Sequence, residues 1–159
     1  MSIIQDLYNI YDKEQAKYRS RVSSGSQLLT EMRHNLAFLR ESLRERLDQS
    51  AIVAGLDNEQ YRAASKNSLN LDALQKRRLE RETYAGIREF DRYQGWRTSR
   101  LVDNAYERIA TLKKLAVGKP PIDLRARLRT LFKFLMIVLA HIDCQPLRLS
   151  STKKTASSR

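Results

Sequence analysis

The sequence predicts an all-α protein: an elongated helical hairpin or coiled-coil-like bundle of three to four helices, followed by a disordered basic C-terminal tail. Three observations predict it. Apolar residues recur at helical spacing along most of the 159 residues. Five Gly and three Pro are too few turn-formers for a sheet fold, and no stretch alternates apolar and polar side chains as a half-buried strand would. No internal repeat of 20 to 50 residues and no Gly-rich phosphate loop is present.

A first helix is expected over about residues 2–49. From Ile4 onward a residue series steps alternately by four and three: Ile4, Tyr8, Tyr11, Gln15, Tyr18, Val22, Gly25, Leu29, Met32, Leu36, Leu39 and Leu43. That is a coiled-coil-like seam, and unbroken it would make a rod of roughly 70 Å. Its first half is aromatic and polar, whereas Leu29, Met32, Leu36, Leu39 and Leu43 are aliphatic or Met and are expected to dock onto other helices. Ser23-Ser24-Gly25-Ser26 is a weak point, and Ser24 with Gln27 has the spacing of a capping box. Because the heptad phase runs through it, one kinked helix is favoured over two.

Residues 50–69 read as a connector, with Gly55 as a stop and Asp57 to Gln60 as a capping-box candidate for a short helix over about 58–66. The next helix is expected over about 71–117, capped by Asn70 or Asp72, with Leu79, Thr83, Ile87, Phe90, Leu101, Ala105, Leu112 and Ala116 within one arc at 100° per residue. Gly86 and Gly95 weaken its middle by about 1 kcal/mol each relative to Ala. It should end at Gly118, before Lys119-Pro120-Pro121.

Pro121 suits the first position of a last helix running to about 143. Leu124, Leu128, Leu131, Leu135, Val138, Leu139 and Ile142 form its stripe, and Phe134, Met136, Ile137 and Ala140 make its second half apolar nearly all round. Such a helix must be buried on most sides. Residues 1–145 are therefore expected as one helical domain, and residues 146–159, rich in Ser, Thr and Lys, as a mobile tail.

Thirty Lys plus Arg against eighteen Asp plus Glu give a net charge of +12, and the excess lies in the second half. A field of that sign favours polyanions, acidic protein faces or anionic lipid. With one cysteine, Cys144, no intrachain disulfide can form. The N-terminal residues lack a secretory pattern, so a cytoplasmic location is expected.

The residues offer little catalytic chemistry. A metal centre would need more than His34, His141 and Cys144, of which only His141 and Cys144 share a helical spacing. No Ser stands with His and Asp at a recognisable spacing, so neither an enzyme, a cofactor nor a small-molecule substrate is expected. The apolar run from Phe134 to Ile142 is nine residues against roughly twenty needed to span a bilayer, although peripheral contact stays open.

Two basic stripes carry the functional expectation. On a continuous helix Arg77, Arg81, Tyr84, Arg88 and Arg92 would fall within about 80° of one another, opposite the apolar arc, as a stripe of roughly 22 Å with Trp96 at its edge. Arginines interleaved with aromatics suit phosphate tracking and base stacking, while pairing of Glu82 with Arg78 and Glu89 with Arg92 would make the same face an ordinary solvated one. Arg125, Arg129 and Lys133 form a second stripe at i, i+4, i+8, and Lys153, Lys154 and Arg159 add charge in the tail. The leading expectation is a non-enzymatic assembly or adapter subunit that docks a protein partner or a second copy through the aliphatic seam and through Leu135, Val138 and Leu139 of the last helix. The alternative is sequence-independent nucleic-acid binding, alone or within a nucleoprotein complex.

Overall fold

The computed structural model describes Tyr8, Asn9 and residues 27–148. Among them are five α-helices and no strand: α1 (Gln27–Arg44), α2 (Gln49–Ala54), α3 (Glu59–Lys66), α4 (Thr98–Ala116) and α5 (Arg125–Ile142). Three 3₁₀ turns, Leu71–Ala73, Arg81–Tyr84 and Arg88–Tyr93, lie between α3 and α4.

The organising element is α5. It packs against both α1 and α4, and every residue from Phe134 to Ile142 is buried. Its second half is apolar all round because neighbours cover all its sides. Tyr8 stacks on Phe132 of α5 and is itself buried, with the Arg40 guanidinium over its ring. The remainder of the expected first helix, including Ser23–Ser26, lies outside the described residues.

Helix α1 ends at Arg44, earlier than the expected 49, because Arg46 adopts φ 53° and Leu47 N–H closes back onto Ser42 O at 3.0 Å. This is the six-to-one closure with a left-handed residue that commonly ends helices, and glycine is its usual occupant. Here four such stops use other residues: Arg46, Ser68, Ala85 and Cys144. A side chain in that region costs about 1 kcal/mol. Ser68 is exposed, so Ser68→Gly is expected to raise stability by about 0.5 kcal/mol or slightly more. A midpoint in urea that does not rise would refute this.

Helix α2 starts with Asp48 accepting Ala51 N–H and stops at Gly55, whose N–H bonds Ala51 O at 3.1 Å. A Cβ at Gly55 would run into the Phe38 ring of α1, so any larger residue there would have to displace that ring. Helix α3 occupies the expected residues, but the Asp57–Gln60 capping box does not form. Asn58 is its N-cap without a side-chain bond, and Glu31 of α1 supplies the cap, accepting Gln60 N–H at 2.7 Å and Tyr61 N–H at 3.3 Å. Asn35 clamps both backbone groups of Asp57. Tyr106 of α4 also donates to Glu31, at 2.8 Å, and stacks on Tyr61 with ring centroids 4.2 Å apart. One buried carboxylate thus joins α1, α3 and α4.

The expected long helix over 71–117 is α-helical only from Thr98. Gly86 and Gly95 do more than weaken it: with Ala85 they adopt positive φ, 65°, 80° and 53°, which no right-handed helix contains. Leu79 and Trp96 instead face each other across a backbone pair, Leu79 N–H to Trp96 O and Gly95 N–H to Leu79 O, both 2.9 Å. Asp72 does cap a helix, but a distant one: its carboxylate accepts Ser99 N–H in the first turn of α4 and sits below the usual carboxylate range because of that bond. Asn70 caps only the Leu71–Ala73 turn.

The last helix begins at Arg125 rather than Pro121. Gln49 accepts Leu124 N–H and Asp123 accepts Arg125 N–H, which fixes the start there. At the far end Asp143, buried, pairs with Arg33 of α1 at 2.7 Å. Leu147, assigned by its sequence to a mobile tail, is buried and its N–H donates to Thr83 O at 2.9 Å. Residues 149–159 lie outside the described residues.

Candidate polyanion-binding surface

The side chains expected to dock onto other helices are covered within the chain. Leu29, Met32, Leu36, Leu39, Leu135, Val138 and Leu139 all belong to its own core, and only Leu43 is half-buried. What the described surface offers instead is charge.

The first arginine stripe does not exist as a stripe, because the helix that would align it is broken. Arg77 lies in an irregular segment, Arg81 on the Arg81–Tyr84 turn, and Arg88 and Arg92 on the Arg88–Tyr93 turn. All four are exposed. Tyr84, expected on the outward face, is fully buried, donates to Asp91 at 2.9 Å and has its pKa pushed up to about 12 by that burial. Neither expected intra-helix ion pair forms. Arg78 donates to Gly95 O, Arg92 lies over the Tyr93 ring, and Glu89 pairs across the fold with Lys133 at 3.2 Å.

The Leu79–Trp96 pairing assembles a different basic group. Lys76, Arg78 and Arg97 line a cleft of about 300 Å³ with Asn70, Asp72 and Ala73. Beside it the Arg100 guanidinium stacks 3.7 Å from the centroid of the half-exposed Trp96 ring. Arg97 and Arg100 belong to no periodic pattern with Lys76 and Arg78. They meet because of a backbone pair that the sequence does not announce.

The second stripe survives in part. Arg125 and Arg129 are exposed on the N-terminal half of α5, as is Arg127 between them, and among the described residues no carboxylate forms an ion pair with any of the three. Lys133 is drawn away by Glu89. In its place Arg46 joins: Arg46, Arg125 and Arg129 line a groove of about 390 Å³ whose apolar walls are Leu43, Leu47, Ile52 and Leu128. Arg127 faces another groove, between α4 and α5, together with Arg108 and Glu107. The i, i+4 spacing of Arg125 and Arg129 was the legible signal for this end of the molecule. Arg46 had none, since its position depends on where α1 stops. Lys153 and Lys154 lie outside the described residues.

His141 and Cys144 are engaged by different partners. His141 is buried with Nε2 2.9 Å from Thr98 Oγ1, while Cys144 is exposed and takes a contact from Gln75. Among the described residues no group of three or more His, Cys, Asp or Glu could hold a metal ion, and no helix is long and apolar enough to cross a membrane. Compared with known proteins, the chain matches no family model, no curated protein and no solved structure.

Proposed function

We propose that this chain is a non-enzymatic helical subunit that binds nucleic acid without regard to sequence, as part of a nucleoprotein assembly. The observation that carries the reading is the set of arginines exposed on the N-terminal half of α5, Arg125, Arg127 and Arg129, none of which forms an ion pair among the described residues, with Arg46 joining Arg125 and Arg129 in one groove. Guanidinium groups free of carboxylate partners are the feature a phosphate backbone uses, and their contribution is sequence-independent. The Trp96–Arg100 stack beside Lys76, Arg78 and Arg97 supports it with an aromatic face where a base can stack. An adapter docking through the aliphatic seam is supported less, since those side chains are already covered.

The test is salt-dependent binding of generic single- and double-stranded oligonucleotides. Wild-type affinity should fall steeply as salt rises. Replacing Arg125, Arg127 and Arg129 together by Gln removes three exposed charges from good helix positions, so folding should change little. The slope of log affinity against log salt should become shallower by up to about one unit per lost contact. Absence of salt-sensitive binding by the wild type near physiological salt would end the reading, and binding to anionic vesicles in its place would assign the charge to a membrane surface.

A further inference from the structure

The groove between the end of α1, the start of α2 and the first turns of α5 differs from the rest of the basic surface. Arg77, Arg81 and the Arg88–Arg92 pair sit on three separate segments, whereas Arg46, Arg125 and Arg129 converge on one concavity. Among the described residues no carboxylate lines it: Glu45, next to Arg46, pairs with Arg44, Asp48 accepts the Ala51 N–H, Asp123 accepts the Arg125 backbone N–H, and none of them forms an ion pair with the three arginines. Its walls include buried Ile52 and Leu128 and the half-exposed Leu47. At about 390 Å³ it lies at the small end of ligand sites, large enough for one nucleotide end group rather than a continuous strand.

Charge selects the occupant further. An internal phosphodiester carries one negative charge, and successive ones suit a track of spaced cations. A phosphomonoester carries about −1.5 to −2 near neutral pH and presents three acceptor oxygens, which suits several guanidiniums in one place. The apolar wall beside them can take a sugar or base face. We infer that the Arg46–Arg125–Arg129 groove is a phosphomonoester site that holds the terminal phosphate of a nucleic-acid strand. This rests on the nucleic-acid reading above.

Arg46 makes the test clean. It occupies a left-handed helix-end position where glycine is the unstrained residue, so Arg46→Gly removes a guanidinium while relieving the backbone. Binding is measured for one single-stranded oligonucleotide carrying a phosphate at its 5′ end, at its 3′ end, or at neither. The wild type should bind at least one phosphorylated form about tenfold more tightly than the hydroxyl-ended form. Arg46→Gly, melting at or above the wild type, should abolish that preference and leave most of the affinity for the hydroxyl-ended strand. Arg129→Gln, at an exposed position of α5, should do the same and stands in if Arg46→Gly melts lower. Equal wild-type binding of all three oligonucleotides overturns the terminal-phosphate site and leaves the nucleic-acid reading intact. A preference that survives both substitutions also overturns it, because the phosphate would then sit elsewhere. Failure of every oligonucleotide to bind overturns both.

Discussion

Leu39→Asp is expected to unfold the protein outright. Leu39 is fully buried on α1, the helix that packs along α5, and Met32 and Leu36 lie in the same core. Replacing the side chain forfeits the transfer energy of a buried leucine and leaves a cavity, about 2 to 5 kcal/mol together. It also puts a carboxylate where nothing pairs with it, and an unpaired buried charge costs several kcal/mol more. A single domain has about 5 to 15 kcal/mol to lose. Circular dichroism should show a chain without a cooperative melt, whereas Leu43→Asp, at a half-buried site on the groove, should fold with a lowered midpoint. The same burial yields a second, discriminating outcome. Because the aliphatic half of the seam, Leu29 to Leu39, is covered inside one chain, the wild-type melt should not move with protein concentration; a midpoint that climbs with concentration would restore a role for self-association.

The contrast between α5 and the segment before α4 shows what was readable in the residues. A run from Phe134 to Ile142 with no charged member has only one low-energy fate in water, so burial on every side followed directly. Helix α3 lies where the stop at Gly55 left room for it, although its cap comes from Glu31 and not from the flanking Asp57–Gln60 box. The segment 71–97 failed for a physical reason. Leu79 and Phe90 are buried as their periodicity implied, but burial at helical spacing does not require a helix when three residues, Ala85, Gly86 and Gly95, hold left-handed backbone. Once the helix is lost, so is the alignment of Arg77, Arg81, Arg88 and Arg92, and Tyr84 turns into the core.

The candidate groove was half-readable for the same kind of reason. Arg125 and Arg129 share a face of one helix, a relation set by local geometry alone. Arg46 reaches them only through the stop at the end of α1 and the Gln49 clamp on Ile122 O and Leu124 N–H, contacts spanning 73 and 75 residues. Caps behave alike: α3 and α4 are capped by Glu31 and Asp72 from far along the chain, so local capping signals pointed to the wrong residues.

Acidification should loosen the protein between about pH 6.5 and pH 4, and one residue should account for it. His141 lies on α5 with 4% of its surface exposed, and burial draws its pKa down from 6.5 to about 4. Thr98 Oγ1 donates its proton to Gln75 O at 2.6 Å, so the 2.9 Å contact with His141 Nε2 requires the imidazole to donate. The neutral ring with its proton on Nε2 satisfies the site. A histidine whose folded pKa is depressed binds protons more readily when unfolded, so its contribution is complete above about pH 6.5 and is lost as the pH falls towards 4. The difference corresponds to about 3 kcal/mol, approached at no more than 1.36 kcal/mol per pH unit. The lowered Asp72 pKa acts in the same direction but below the usual carboxylate range, so the two windows separate. Urea unfolding at pH 7.5, 6, 5 and 4.5 should show the wild type losing most of that amount, while His141→Gln, which keeps a donor near Thr98 and cannot titrate, should give a nearly flat profile. Parallel losses in both proteins would place the titration elsewhere. Because Thr98 ties Gln75 to the start of α4, the first part released should be the Lys76–Arg78 segment, and hydrogen exchange of its amides should quicken before that of α5 does.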